Sequence, residues 1–270
     1  MTHRLSVAHL TAIGLAPPEF IHAAARAGFD GVGLRLLRVT ETSPGYPLHE
    51  DAQMLRATRA ALAETGLGVG DIEFLKLTPE TRPEEYLPLL EAGAALGARH
   101  LITAPYDPDL DRLAARLNAL GELAAPLGIK VMLEFFPWTS VPDLGVAQRV
   151  VEAAGPATGL LVDSLHFDRS GSDLAELQRI DPDRLPFIHL CDAPVRPYYS
   201  TDELLRTARE DRSPPGEGEI DLARFLRALP AAIPITLEVP MQALEEAEGS
   251  QAVLTHVAGQ TRSWLAAQDL

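Results

Sequence analysis

The sequence predicts an α/β fold, a single (βα)8 barrel formed by residues 1–270. Three observations carry that expectation. Short apolar runs alternate with longer amphipathic ones from end to end, the pattern of repeated strand–helix units around a parallel sheet. No proline- or serine-rich linker and no low-complexity tract divides the chain. With 270 residues, 46% hydrophobic and 23% charged, it can bury one large core.

The elements follow in order. A first strand over Arg4–His9 leads to the helix pattern "PPEFIHAAARAG", and a second over Gly31–Leu36 to "EDAQMLRATRAALAETG". A third strand over Val69–Phe74 precedes "RPEEYLPLLEAGAALG", and a fourth over His100–Ala104 precedes "DLDRLAARLNALGELAAPLG". The fifth, Lys130–Glu134, is followed by "VPDLGVAQRVVEAAG", and the sixth, Gly159–Asp163, by "DLAELQRI". The seventh, Pro186–Leu190, comes before "IDLARFLRALP", and the eighth, Ile233–Val239, before "SQAVLTHVAGQTRSWLAAQ". Several helix patterns open on proline or an acid and close on glycine, as capping favours. Gly28, Gly66, Gly97, Gly128 and Gly155 each stand where a helix hands over to a strand. An open doubly wound sheet is the alternative, but no G-x-G-x-x-G follows any strand and no phosphate-loop motif occurs. The longest irregular stretch, "CDAPVRPYYSTDELLRTAREDRSPPGEGEID", lies between strand seven and its helix and is expected to cover an active site.

Charge narrows the partners. The chain holds 23 basic and 38 acidic residues, a net charge of −15, which repels nucleic acid and anionic membrane. Cys191 is the only cysteine, so no internal disulfide forms, and a reducing cytoplasm is compatible. The first residues lack the basic-then-apolar pattern of a signal peptide, and no apolar run is long enough to cross a bilayer. The expectation is a cytoplasmic protein.

The last four strands end alike. "KVMLE" closes on Glu134, "GLLVD" on Asp163, "PFIH" on His189 and "PITLE" on Glu238. In a barrel those positions are neighbours at the C-terminal mouth, where active sites are built. Three carboxylates converging without a cation would repel and raise one another's pKa, and a divalent metal resolves that conflict. Three carboxylates and one imidazole suit Mn²⁺ first, with Mg²⁺, Co²⁺ or Zn²⁺ as alternatives. His166, three residues past Asp163, reads as a substrate hydrogen-bond donor or proton-transfer group. Arg169, Arg196 and Arg212 are candidates to clamp substrate oxygens, and Trp138 and Phe135 to wall the pocket. Gly216 and Gly218 would let backbone approach a ligand. His9 and Arg35 are polar intrusions in apolar strands, placed either to line the pocket or to satisfy structure. Glu73 could reach the mouth or pair with Lys76, and Tyr106 lies near the end of strand four.

These motifs resemble the xylose isomerase-like TIM-barrel superfamily, the sugar phosphate isomerase/epimerase group. The resemblance covers the whole chain in architecture and rests on "LEFFP", "VDSLHFDRSG", "IHLCDAP", "PPGEGEID" and "TLEVP". It implies Glu134, Asp163, His189 and Glu238 as metal ligands, His166 as the histidine of the D-x-x-H element, and Arg196 or Arg212 as the arginine after strand seven. It also implies Glu134 and Glu238 as acid and base across the substrate. The implied activity is a divalent-metal-dependent isomerase or epimerase of a sugar or a sugar-like polyol or keto acid, transferring a proton through a metal-bound enediolate. Homodimers or homotetramers are common in the group. "FDRSG" after the D-x-x-H element and "GVGLRLL" on strand two depart from the ketose epimerases. The second reading is a dehydratase of the 3-dehydroshikimate or inosose type, in which Arg35, Arg169 and Arg212 could bind a carboxylate. An abasic-site endonuclease shares the barrel but wants more histidines and a basic groove. A non-catalytic ligand-binding barrel would not need four intact ligands.

Overall fold

The computed structural model describes residues 4–39, 43–230 and 232–268. All eight expected strands are present, and each pairs in parallel with its sequence neighbours, so that β1 closes on β8. They are β1 (Leu5–Val7), β2 (Gly31–Arg35), β3 (Gly68–Leu77), β4 (His100–Pro105), β5 (Lys130–Glu134), β6 (Thr158–Asp163), β7 (Ile188–Leu190) and β8 (Ile235–Leu237). β3 runs past its expected end because Leu75–Leu77 continue the ladder with Thr103–Pro105. β1, β7 and β8 are shorter than their apolar runs, each pairing over three residues or fewer per neighbour.

The helices α1 (Pro17–Ala27), α2 (Ala52–Thr65), α3 (Leu87–Ala95), α4 (Leu110–Ala124) and α5 (Leu144–Ala154) fill the first five connections. α6 (Ser164–Ser170) and α7 (Leu174–Leu177) follow β6, α8 (Thr201–Glu210) and α9 (Leu222–Arg227) follow β7, and α10 (Gln242–Glu248) and α11 (Ser250–Ala267) follow β8. Asp51, Asp109, Asp143 and Asp221 cap their helices through backbone N–H groups, which satisfies donors that have no intrahelical partner. Gly28, Gly66, Gly97, Gly128 and Gly155 all have positive φ at the helix-to-strand handovers.

The stretch after β7 is not irregular throughout. Ser200 accepts from the Glu203 amide while the Glu203 carboxylate accepts from the Ser200 amide, a capping box that starts α8. α8 lays Ala208 inward and leaves its acids and arginines outward. The segment thus carries a helix at the barrel mouth, where Ala208 and Arg209 line the cavity.

Side-chain alternation explains what lies under that mouth. Two positions before Glu134, Asp163 and His189 stand Met132, Leu161 and Phe187, which form with Ile102 a small apolar cluster separate from the main core. Two positions before Glu238, Arg35 and Glu73 stand Thr236, Gly33 and Asp71 instead. The floor is therefore apolar below β4–β7 and polar below β8, β2 and β3. A Cβ on Gly33 would run into the buried Asp71 carboxylate, so Asp71 occupies space that only glycine leaves free. Burial, with Glu73 and Glu238 nearby, pushes the Asp71 carboxyl up to about 7.

Candidate metal centre and pocket

Glu134 and Asp163 end their strands, His189 is the middle residue of the short β7 and Glu238 follows β8, so the barrel register brings four donors together. One donor atom from each of Glu134, Asp163, His189 and Glu238 lies within 4.8 Å of the other three, and all four residues are buried. His189 has no hydrogen-bond partner on either ring nitrogen, and Glu134 Oε1 has none. Buried polar atoms left unpaired are costly, and here they point at one another around a common centre. This donor set fits a divalent ion.

Arg212 is built into the same cluster. Its Nη1 lies 2.6 Å from Asp163 Oδ2, its Nη2 lies 2.8 Å from Glu238 Oε2, and its Nε donates to the Ala208 carbonyl at 3.0 Å. Burial works against ionising Glu238 and Asp163, but the Arg212 guanidinium outweighs it and holds both carboxyls below their usual range. Glu134 lacks such a partner. Burial first, then the Glu238 charge, push it well above the ordinary carboxylate range. His189 is opposed by burial yet raised to about 10 by Glu238, whose Oε2 stands 3.8 Å from Nδ1.

His166 occupies the first turn of α6, which Asp163 caps by accepting from the Leu165 amide. The ring packs edge-on against Phe136 and Trp138, with centroids at 4.7 and 5.3 Å. Its Nε2 is 3.8 Å from Glu134 Oε1 and its Nδ1 has no partner among the described residues. Burial lowers its pKa to about 4, so the imidazole is neutral at neutral pH.

A cavity of about 50 Å³ opens above the cluster, lined by Glu134, His166, Arg212, Glu238, Arg35 and Arg209 and walled by Phe74, Tyr106, Phe136 and Trp138. Trp138 Nε1 approaches Tyr106 Oη at 3.4 Å. The wall residue after Glu134 is Phe136 rather than Phe135, which is fully buried in the main core. Once β5 has ended, the chain turns, and the second aromatic faces the mouth.

The other sequence candidates lie elsewhere. His9 is sandwiched between Phe20 and Tyr46, with centroids at 4.4 and 5.2 Å; its Nε2 meets the Leu15 carbonyl and its Nδ1 accepts from the Arg35 amide. Burial lowers it to about 3, so it is a neutral structural hinge between β1 and β2, not a pocket residue. Arg169 and Arg196 line a separate cavity of about 190 Å³ on another side of α8. Arg169 stacks over Tyr199 and donates to Asp168 and the Pro194 carbonyl, and Arg196 pairs with Glu203 at the surface. Glu73 meets Arg35 at 3.4 Å, while Lys76 reaches the Val39 carbonyl.

Asp192 was not singled out from sequence, although "CDAP" and "PPGEGEID" carry its signal. Its carboxylate accepts from the Ala193, Gly216 and Ile220 amides at 2.9, 3.0 and 3.0 Å. A Cβ on Gly218 would collide with that carboxylate, which explains the glycine there. The Asp192 backbone also pairs antiparallel with Ser213, and the Arg212 amide donates to the Pro240 carbonyl. The loop is thus folded around Asp192 so that Arg212 arrives at the ligands.

An eight-stranded barrel with a buried carboxylate–imidazole cage at its C-terminal mouth defines a class of metal-site barrels. Residues 21–257 match the xylose isomerase-like TIM barrel family, and the chain belongs to that family. An inosose isomerase of Halalkalibacterium halodurans is 31% identical over 157 residues, covering 54% of this chain and 53% of that protein. The chain thus spans about half the length of the curated relatives it first matches. A 3-dehydroshikimate dehydratase of Pseudomonas aeruginosa is 29% identical over 241 residues, covering 82% of this chain and 36% of that one. The crystal structure of the IOLI protein with a bound zinc atom superposes with a TM-score of 0.80 at 20% identity, over 97% of this chain and 98% of that chain. Among the described residues, no helix is long and apolar enough to cross a membrane.

Proposed function

We propose that the chain is a divalent-metal-dependent isomerase or epimerase of a small sugar, polyol ketone or keto acid, acting by proton transfer beside a carbonyl. The observation that carries this reading is the four-residue cage with unpaired donors set directly below an aromatic-walled pocket. Glu134, Asp163, His189 and Glu238 would hold the ion, Mn²⁺ first, with Mg²⁺, Co²⁺ or Zn²⁺ as alternatives on the strength of a mostly oxygen donor set. When bound, the ion supplies Lewis-acid polarisation of the substrate carbonyl.

The chain's own residues do the rest. Glu238, kept ionised by Arg212, takes the proton from the substrate carbon. Glu134, from β5 across the cage, returns a proton to that carbon, so that the two carboxyls serve as base and acid. His166, neutral and with a free Nδ1, donates to the substrate oxygen on which charge develops. Phe136 and Trp138 exclude water from that exchange.

A second reading, loss of a β-hydroxyl after the same proton abstraction, is favoured by the dehydratase relative that matches 82% of this chain. One experiment separates the two. The Mn²⁺-loaded protein is incubated in deuterated water with inosose, a ketose panel and 3-dehydroshikimate, and followed by NMR and ultraviolet absorbance. Metal-dependent exchange of the α-proton is expected, with a new chromophore only if water is expelled. A Glu238→Gln variant that keeps its metal and full turnover would sink the assignment.

A further inference from the structure

The cavity holds a cation that the cage does not use. Arg212 is fully engaged, with short contacts to Asp163, Glu238 and the Ala208 carbonyl. Arg35 is not. It is only 7% exposed and lines the same cavity from the end of β2. Its Nε is buried without a hydrogen-bond partner, and its Nη2 stands 3.4 Å from Glu73 and 3.9 Å from Glu238, loose beside the contacts of Arg212. Its backbone is pinned by the His9 ring, and its guanidinium carbon lies 5.6 Å over the Phe74 ring, so the fork is held in place. Burial pushes the Glu73 carboxyl up, the Arg35 guanidinium pulls against it, and the Glu238 charge adds to the rise.

A buried guanidinium short of acceptors is costly, and its parallel donors match the two oxygens of a carboxylate. The rim adds to the same field. Arg209 lines the cavity, and Lys76 lies against two of its lining residues, over the Tyr106 ring and at the Val39 carbonyl. Two further cations at one small opening stand out on a chain of net charge −15.

We propose that the substrate of this pocket carries a carboxylate and that Arg35 is the residue that receives it. The proposal rests on reading the pocket as a proton-transfer site, and it makes the substrate a polyhydroxylated keto acid instead of a neutral cyclitol or ketose. Arg35 then fixes which end of the substrate meets the cage, because the fork admits the acid group and the cage takes the oxygens of the ketone end.

The test uses the full chain loaded with Mn²⁺ and two unreactive rings: shikimate, a ring carboxylate, and myo-inositol, a neutral ring of hydroxyls. Calorimetric titration is expected to show shikimate bound at least about tenfold more tightly, an advantage that shrinks as salt is raised. Arg35→Met is expected to weaken shikimate about 10- to 100-fold and leave myo-inositol unchanged, with Arg35→Lys in between. Equal binding of the two rings by the unaltered protein overturns the proposal, and so does an unchanged shikimate affinity in Arg35→Met. Mn²⁺ titration and circular dichroism report whether the variant keeps its cage and fold. Where it does not, the salt dependence of the unaltered protein and a weakened shikimate affinity in Arg209→Gln decide. Carboxylate binding through Arg35 without metal-dependent proton exchange would defeat the proton-transfer reading alone. Exchange on neutral ketoses without any carboxylate preference would defeat this proposal alone.

Discussion

Arg212 reaches across 49 residues of sequence to lie 2.6 Å from Asp163, with both side chains buried. A carboxylate at the end of an apolar strand is costly to desolvate, and this contact is what makes Asp163 tolerable before any metal arrives. The same guanidinium contacts Glu238, so one cation neutralises two of three cage acids. Arg212 therefore offsets part of the negative charge that the cage concentrates.

Removing that cation should be severe. Arg212→Met takes from the buried Asp163 and Glu238 their closest cation, and breaking a buried pair from one side costs about 3–5 kcal/mol. Urea denaturation of the metal-free protein should register a loss of that order, partly recovered by Mn²⁺, which supplies the missing positive charge. A variant as stable as the parent without metal would show that the pair contributes nothing.

The Asp192 latch predicts a subtler defect. Gly218→Ala puts a methyl group where the Asp192 carboxylate sits, so either the loop or the carboxylate must move. We expect a loss of about 1–3 kcal/mol from overpacking and backbone shift, together with weaker Mn²⁺ binding because Arg212 is carried on the same loop. Asp192→Asn should do likewise, since its amide N–H₂ would face at least one of the three amides that the carboxylate now serves. Retention of full metal affinity in both variants would separate the latch from the cage.

How far the sequence foretold this molecule depends on the range of the interaction. Glu134, Asp163, His189 and Glu238 were legible because strand alternation is local and four successive strands repeat the same ending. The α8 helix was also legible in principle, since "STDE" is a capping-box sequence, but the surrounding prolines and glycines masked it. Arg212 was expected to bind substrate and is found on the ligands, a relation set by a loop that closes only in three dimensions. Arg169 and Arg196 show the same limit from the other side. Arg169 follows His166 by three residues and Arg196 follows β7, yet α6 and the loop after β7 carry both to a different cavity.

His9 gives the chain a pH dependence whose sign follows from burial. The folded protein holds this imidazole at about 3, below the ordinary 6.5, so below that pH the unfolded chain binds a proton that the folded one refuses. Its contribution is fully present above about pH 6.5 and is lost as the pH falls toward 3. At pH 5 the loss from His9 amounts to about 2 kcal/mol. His100 and His166, both lowered to about 4, steepen the same slope. Denaturation midpoints at pH 7.5 and 5 in the parent and in His9→Gln provide the check, with a smaller pH difference expected in the variant. An identical difference in both proteins would assign the acid lability elsewhere.

Metal binding should run against the proton in the opposite part of the pH scale. Without an ion His189 is raised to about 10 by its carboxylate neighbours, so at neutral pH a ligand nitrogen is protonated and must lose that proton when an ion binds. Mn²⁺ affinity is then expected to rise by up to about tenfold per pH unit between pH 6 and 8, with a proton released that can be read in two buffers of different ionisation enthalpy. Binding only to the folded chain, the ion at about 100 times its dissociation constant should add about 2.7 kcal/mol of stability. For a chain of this size, that corresponds to a rise in Tm of roughly 5–10 °C over the chelator-treated protein. His189→Ala should abolish both the proton release and most of the thermal shift, because the cage loses its nitrogen donor and the three acids lose their imidazolium. If Mn²⁺ raised Tm equally in His189→Ala and in the parent, the ion would be bound somewhere other than at the four strand ends.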